Sequence, residues 1–436
     1  MSSDVLLIKN AHAILTGLPG EAARHAGPDI RVRHGVIEAI GSLTAMPDEQ
    51  LIDARDCVVY PAWVNTHHHL FQSLLKGEPQ GLNQSLTAWL SATPYRFRAT
   101  FDESTFRLAV RIGLTELLRS GCATVADHNY LYWPDMPFDT SEILFSEGEA
   151  LGMRIVLCRG GATQGRAIEK DLPQALRPEN FGDYMADIER LVGRYHDPKP
   201  TSLRRVVMAP TTLLHSAPGA ELREMAKLAR SLGIRLHSHL SETVDYLDAA
   251  RARFDMTPVQ FCAEHDWLGE DVWFAHLVKL LPQEITMLGQ TRTGIAHCPQ
   301  SNGRLGSGIA DLLALEQAGV PVSLGVDGAD RTKPPICKVK RMRPGFCSAP
   351  EKACWRHRVM TAARLKAAAT QHLLKTWCGG AAQAGRRSLA CNKAAPCRWA
   401  GWRISPFIGW MTRATSACTT WPLVRWPVAD ALRLRH

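Results

Sequence analysis

Before residue 330 the chain carries two rhythms of apolar and polar positions. Between Val5 and Val59 the segments VLLIKNAHAIL, DIRVRHGVIEAIG and QLIDARDCVV are short and separated by turns, with no helical stretch among them. Such a pattern predicts strands, here the N-terminal part of a small β-sandwich over residues 1–58. From 59 to 329 short apolar runs alternate with amphipathic stretches such as 103–120, 220–232 and 310–318. That alternation predicts an α/β fold with a parallel sheet and crossover helices. Eight strand candidates end near His69, His128, Arg159, Thr211, His239, His276, His297 and Asp327. Eight β/α units make a (β/α)8 TIM-like barrel, whose chemistry gathers at the C-terminal strand ends. Most of these strands end in a His, Asp or Arg.

Past residue 330 the rhythm fades and the composition changes. The chain has 436 residues and a net charge of +9. Residues 330–436 hold 21 Lys or Arg against three acids, so the part before them is net acidic. Seven of the twelve cysteines and seven of the twelve tryptophans also fall in that last quarter. A basic arm for nucleic acid is one reading, since counterion release rewards clustered cations, but no binding motif accompanies it and no specific nucleic-acid partner is expected. The preferred reading is translation out of frame. Shifted by two nucleotides, the codons of residues 330–337 can encode Ser-Asn-Glu-Ala-Ala-Asp-Met, a capped helix start. An aberrant C-terminal part would leave a barrel edge unclosed and half a sandwich unpaired, exposing strand edges. A damaged, non-enzymatic product is the alternative reading from another class.

The cysteines before residue 330, Cys57, Cys122, Cys158, Cys262 and Cys298, stand singly and read as free thiols. No leader pattern and no apolar run of about 18 residues is visible, so the expected compartment is the cytoplasm, with no membrane partner.

His67 and His69 straddle His68 at the end of the first barrel strand. Positions i and i+2 of a strand point to one side, so both imidazoles can grip one ion while His68 points away. His239 and Asp327 end later strands and complete a set of three imidazoles and one carboxylate. That set suits one divalent metal, zinc first and iron as the alternative. Glu242 follows His239 as H-x-x-E, placed to carry protons. Its ordinary alternative is an acid at a helix N-terminus. His276 is placed to orient or deprotonate a water, and its alternative is a buried structural histidine. His128 and His297 read as support or packing as readily as chemistry.

The segments PAWVNTHHHLFQSLLKGEP, HSHLSET, WFAHLVKL, AHCPQSNGRL and SLGVDGA resemble the deaminase branch of the amidohydrolase superfamily, over residues 4–329. The resemblance implies that His67, His69, His239 and Asp327 bind a single metal, a count favoured also by the absence of Lys at the fourth strand end. It implies Glu242 as proton shuttle, with His276 and Asp327 taking the proton of the attacking water. The implied reaction replaces an amino group on a fused nitrogen heterocycle by an oxo group and releases ammonia. Isoxanthopterin is the first candidate for this small-molecule substrate, with 8-oxoguanine, guanine or a triazine as alternatives. Gln72 is a candidate for the ring edge, Trp89 for the ring face and Arg159 for a ring carbonyl. The ordinary alternatives are core for Trp89 and an ion pair for Arg159. A homo-oligomer is compatible with all of this.

Overall fold

Alternation shapes the first unit. The computed structural model describes residues 5–17, 26–165 and 177–328, together with the strand Thr412–Arg413. The basic tail and its reading frame therefore lie outside the described residues. The residues up to Ala62, with the strand Thr412–Arg413, belong to one unit, and a second starts at Trp63. In the first, β1 (Val5–Lys9), β2 (Ala13–Ile14), β3 (Asp29–Arg33), β4 (Val36–Gly41), β5 (Gln50–Asp53) and β6 (Cys57–Val59) are strands. Their sheets run β4-β3-β1-β5 and β2-β6, the latter extended by Thr412–Arg413. Ile8, Ile30 and Val32 of the first sheet share a core with Ile14 and Val59 of the second, as two facing sheets of a sandwich do.

The second unit is the barrel. Its strands are β7 (Trp63–His69), β8 (Cys122–Asn129), β9 (Arg154–Arg159), β10 (Arg204–Met208), β11 (Arg235–Leu240), β12 (Val272–His276), β13 (Gly294–His297), β14 (Val322–Leu324) and β15 (Asp327–Gly328). Each pairs in parallel with the next from β7 through β14. The eighth strand is split into β14 and β15, and β15 returns to β7 through Asp327↔His68 and Gly328↔His69. Thr66 Oγ1 strengthens this seam by bonding Ser323 Oγ at 2.7 Å and Leu324 O at 3.0 Å. Among the described residues the first barrel strand thus meets the last through β15, and the segment expected to cover that edge lies outside them. A small residue makes the seam possible. A Cβ on Gly325 would stand 2.7 Å from Cys298 Sγ and 2.9 Å from His67 Cβ.

The barrel interior holds Val64, Ala126, Val156, Cys158, Val207, Ala209 and Ala296 around one large ring, Trp273. The helices cover the outside. In Glu103–Ser120, Phe106, Ala109, Val110, Gly113, Leu114 and Leu117 are buried at helical spacing. Asp102 starts that helix by accepting the Thr105 N–H at 2.8 Å, and Thr105 Oγ1 accepts the Asp102 N–H at 2.9 Å. Gly121, at φ 88°, ends it. Four of the five early cysteines are buried and Cys57 is half-buried. No described helix is long and apolar enough to cross a membrane.

Candidate metal centre

The C-terminal ends of β7, β11, β12 and β15 converge. His67 and His69 leave β7 on one side, as the strand period requires, and both are buried. His69 Nε2 lies 3.2 Å from His239 Nε2 and 3.2 Å from Asp327 Oδ1. His67 Nε2 lies 3.4 Å from Asp327 Oδ1. His68, between them, faces the seam instead, its Nδ1 donating to Asp327 O at 2.5 Å. The structure therefore brings together all four residues predicted to hold a metal.

Second contacts show which nitrogen each ring offers. His69 Nδ1 donates to His128 O at 2.7 Å, and His239 Nδ1 donates to Thr211 O at 2.6 Å. A carbonyl only accepts, so the Nε2 atoms of both rings carry the lone pairs when the rings are neutral. His67 and His239 are held neutral, their pKa pushed well below the usual value by burial first. For His239 the neighbouring imidazoles add to this. His67 Nε2 is buried with no hydrogen-bond partner among the described residues. Imidazole lone pairs facing a carboxylate repel it, unless a cation sits among them. Their spacing suits one: ligands about 2.0–2.1 Å from a tetrahedral ion stand roughly 3.3 Å apart. The residues fit a divalent metal.

His276 and Glu242 stand beside this cluster. His276 Nδ1 donates to Asn302 Oδ1 at 2.8 Å, which leaves Nε2 3.5 Å from Glu242 Oε2 and 4.0 Å from Asp327 Oδ2. Glu242 Oε1 accepts from Ser307 Oγ at 3.4 Å, and Asp327 Oδ2 accepts from Ser301 Oγ at 2.5 Å. His276 and Asp327 adopt left-handed backbones, φ 78° and 66°. Non-glycine residues there carry strain that tends to collect at functional sites. Loop carbonyls tie the elements together, with Val278 N–H and Lys279 N–H both donating to Ser241 O.

The remaining candidates scatter. His128 lies close enough to share a ligand cluster with His67, His69 and His239, but its Nε2 donates to Ala209 O at 2.8 Å. His297 is buried, and burial lowers it to about 4. Gln72 Nε2 donates to Tyr130 Oη at 2.6 Å, while its Oε1 is buried without a partner among the described residues. The Tyr130 ring sits 5.0 Å from that of His69. Trp89 is buried. Arg159 is locked: Glu179 at 2.6 Å, Asp187 at 3.0 Å, and the rings of Tyr132 and Tyr184 at 4.0 and 4.5 Å. Sequence reasoning missed Ser301, Asn302 and Ser307, uncharged residues on and just after the helix Pro299–Leu305. It also missed His237, although HSH repeats the signal that singled out His67 and His69.

The amidohydrolase family model matches residues 58–375. An isoxanthopterin deaminase from an unknown prokaryotic organism is 65% identical over 326 residues, covering 74% of this chain and 68% of the relative. An 8-oxoguanine deaminase of Pseudomonas aeruginosa is 38% identical over 298 residues, covering 67% and 65%. The chain thus spans about two thirds of the length of these relatives. Among solved structures, an amidohydrolase from an environmental sample of the Sargasso Sea is 48% identical with a TM-score of 0.71, covering 94% of this chain and 83% of its own.

Proposed function

The chain belongs to the amidohydrolase family, and on that ground we propose that it is a metal-dependent deaminase of a fused nitrogen heterocycle, with isoxanthopterin as its substrate. The observation that carries the reading is the convergence of His67, His69, His239 and Asp327, with Glu242 and His276 at their side. These four would hold one divalent ion, zinc before iron. Such an ion lowers the pKa of a water ligand from about 15.7 toward about 7.

The other steps belong to the side chains. His276 Nε2 and Asp327 Oδ2 face each other at 4.0 Å, and both can take the proton of the attacking water. Glu242 can pass that proton on to the ring nitrogen beside the reacting carbon, and the second proton, from the hydroxyl left on that carbon, can reach the leaving amine through the same carboxylate. A positioned acid–base group contributes about 10²–10⁴-fold. The unpartnered Gln72 Oε1 suits a ring N–H. Arg159 spends its guanidinium on two carboxylates, which favours an ion-pair role over a ring carbonyl.

The test offers the zinc-loaded protein isoxanthopterin, 8-oxoguanine, guanine and hydroxyatrazine and measures ammonia. At least about tenfold preference in kcat/KM for isoxanthopterin, about 1.4 kcal/mol at the transition state, is expected. Preference for 8-oxoguanine, the substrate named for the second relative, would replace the substrate and keep the chemistry. Ammonia from none of the four would sink the deaminase reading.

A further inference from the structure

β7 and β11 each carry an H-x-H pair, and three of these four histidines stand in the candidate metal set. The fourth, His237, lies one layer deeper in the barrel and is fully buried. Its Nδ1 is 2.9 Å from Trp273 O, and its Nε2 is 2.8 Å from His67 Nδ1. Its ring lies flat on Trp273, 4.5 Å away at 20°. The indole N–H of Trp273 returns to Thr66 O at 3.1 Å, the residue before His67.

We infer that His237 is a positioning residue that sets the tautomer of His67, through a proton chain anchored on the Trp273 carbonyl; the inference rests on the reading of His67 as a metal ligand. The carbonyl can only accept, so His237 Nδ1 carries a hydrogen. A neutral ring then has a bare Nε2, and that atom accepts from His67 Nδ1. Where both rings are neutral, the one hydrogen between these two nitrogens sits on His67 Nδ1. His67 therefore holds its hydrogen on Nδ1 and presents a bare Nε2, the buried atom that faces Asp327 with no hydrogen-bond partner among the described residues. His69 and His239 reach the same state directly, by donating to carbonyls. At His67 no carbonyl of the described residues plays this part, and a second imidazole relays the constraint from across the barrel. The relay also limits the ring's swing, because His237 is held between the Trp273 face and the Trp273 carbonyl.

Outer partners of metal-bound histidines typically matter by 10–100-fold in affinity. The experiment measures zinc affinity of the full chain by chelator competition for wild type, His237→Leu, His237→Gln and His239→Ala. The Leu variant removes the acceptor and should bind zinc about 10–100-fold more weakly, with a larger loss of affinity than of folded signal. The Gln variant restores an acceptor oxygen and should recover most of the loss, which a merely space-filling role would not produce. Nitrogen NMR of histidine-labelled wild type should show His67 protonated at Nδ1, and it decides the matter even if the Leu variant fails to fold. A His67 hydrogen on Nε2, or wild-type zinc affinity in His237→Leu, would overturn the inference. If His239→Ala also keeps zinc, the metal-site reading fails instead, and the two failures are told apart.

Discussion

A carboxylate and a guanidinium illustrate how role follows from surroundings. Glu242 has one oxygen on Ser307 and the other facing His276, so the amide of Glu242→Gln fills its place without carrying a proton. That variant should keep zinc and lose about 10²–10⁴ in kcat; unchanged turnover would assign the proton to another group. Arg159 is the opposite case. Arg159→Leu strands the largely buried Glu179, whereas Asp187 keeps Arg190 at 2.7 Å, and breaking a buried pair in this way costs about 3–5 kcal/mol. Thermal or denaturant unfolding should show that loss, whereas an unchanged midpoint with a raised KM would return Arg159 to the substrate. The H-x-H at 67–69, the Asp at 327 and the H-x-x-E at 239–242 were legible because strand period and strand ends project onto the sequence. The partners of Arg159 were not, since Glu179 and Asp187 come from 20 and 28 residues away. Ser301 and Asn302 were invisible for another reason: their work is to aim other groups, and aiming has no signature in residue type.

Elements were legible where their periodicity was long. The helix expected over 103–120 is Glu103–Ser120, with its capping acid and terminal glycine, and the seventh strand ends at His297 as the alternation indicated. The fourth strand ends at Met208 rather than Thr211, because Pro210 removes a ladder donor. The eighth is broken in two, since Gly325 passes so close to His67 and Cys298 that regular pairing stops there. Close approach also governs the helix Pro282–Thr291. A Cβ on Gly289 would stand 2.1 Å from the carbonyl oxygen of Ala318, and backbone yields less readily than a side chain. Gly289→Ala should therefore destabilise by about 1–3 kcal/mol while leaving zinc affinity alone. A neutral or raised unfolding midpoint would mean that the segment after Leu312–Gln317 shifts freely.

Across the whole molecule, buried imidazoles set a pH limit. Burial holds His68 and His237 to about 3 and His297 to about 4, below the usual histidine value of 6.5. The folded chain keeps them neutral where the unfolded chain would protonate them. Each thus stabilises fully above pH 6.5, and that contribution drains as pH falls through the window toward 3–4. The slope is about 1.4 kcal/mol per pH unit for each such group. Unfolding midpoints recorded from pH 7.5 to 4.5 should fall steadily on the acid side; a midpoint that rises on acidification would refute these directions.

The seam between β7 and β15 has a consequence in time. His68 and Asp327 are 259 positions apart, so joining them costs about 5 kcal/mol of chain entropy beyond a constant term. The carboxylate of the candidate metal set sits on the final stave of the barrel. During synthesis the site stays incomplete until that last stave emerges, and an ion arriving earlier meets imidazoles alone. Binding the ion and shutting the ring then become one event, with the metal acting as a clasp. Stripping zinc with a chelator should accordingly speed hydrogen exchange at the Val326 amide, which donates to His67 O at 3.0 Å, more than at amides on the far side of the barrel. Equal protection with and without the ion would mean that the ring stays shut unaided.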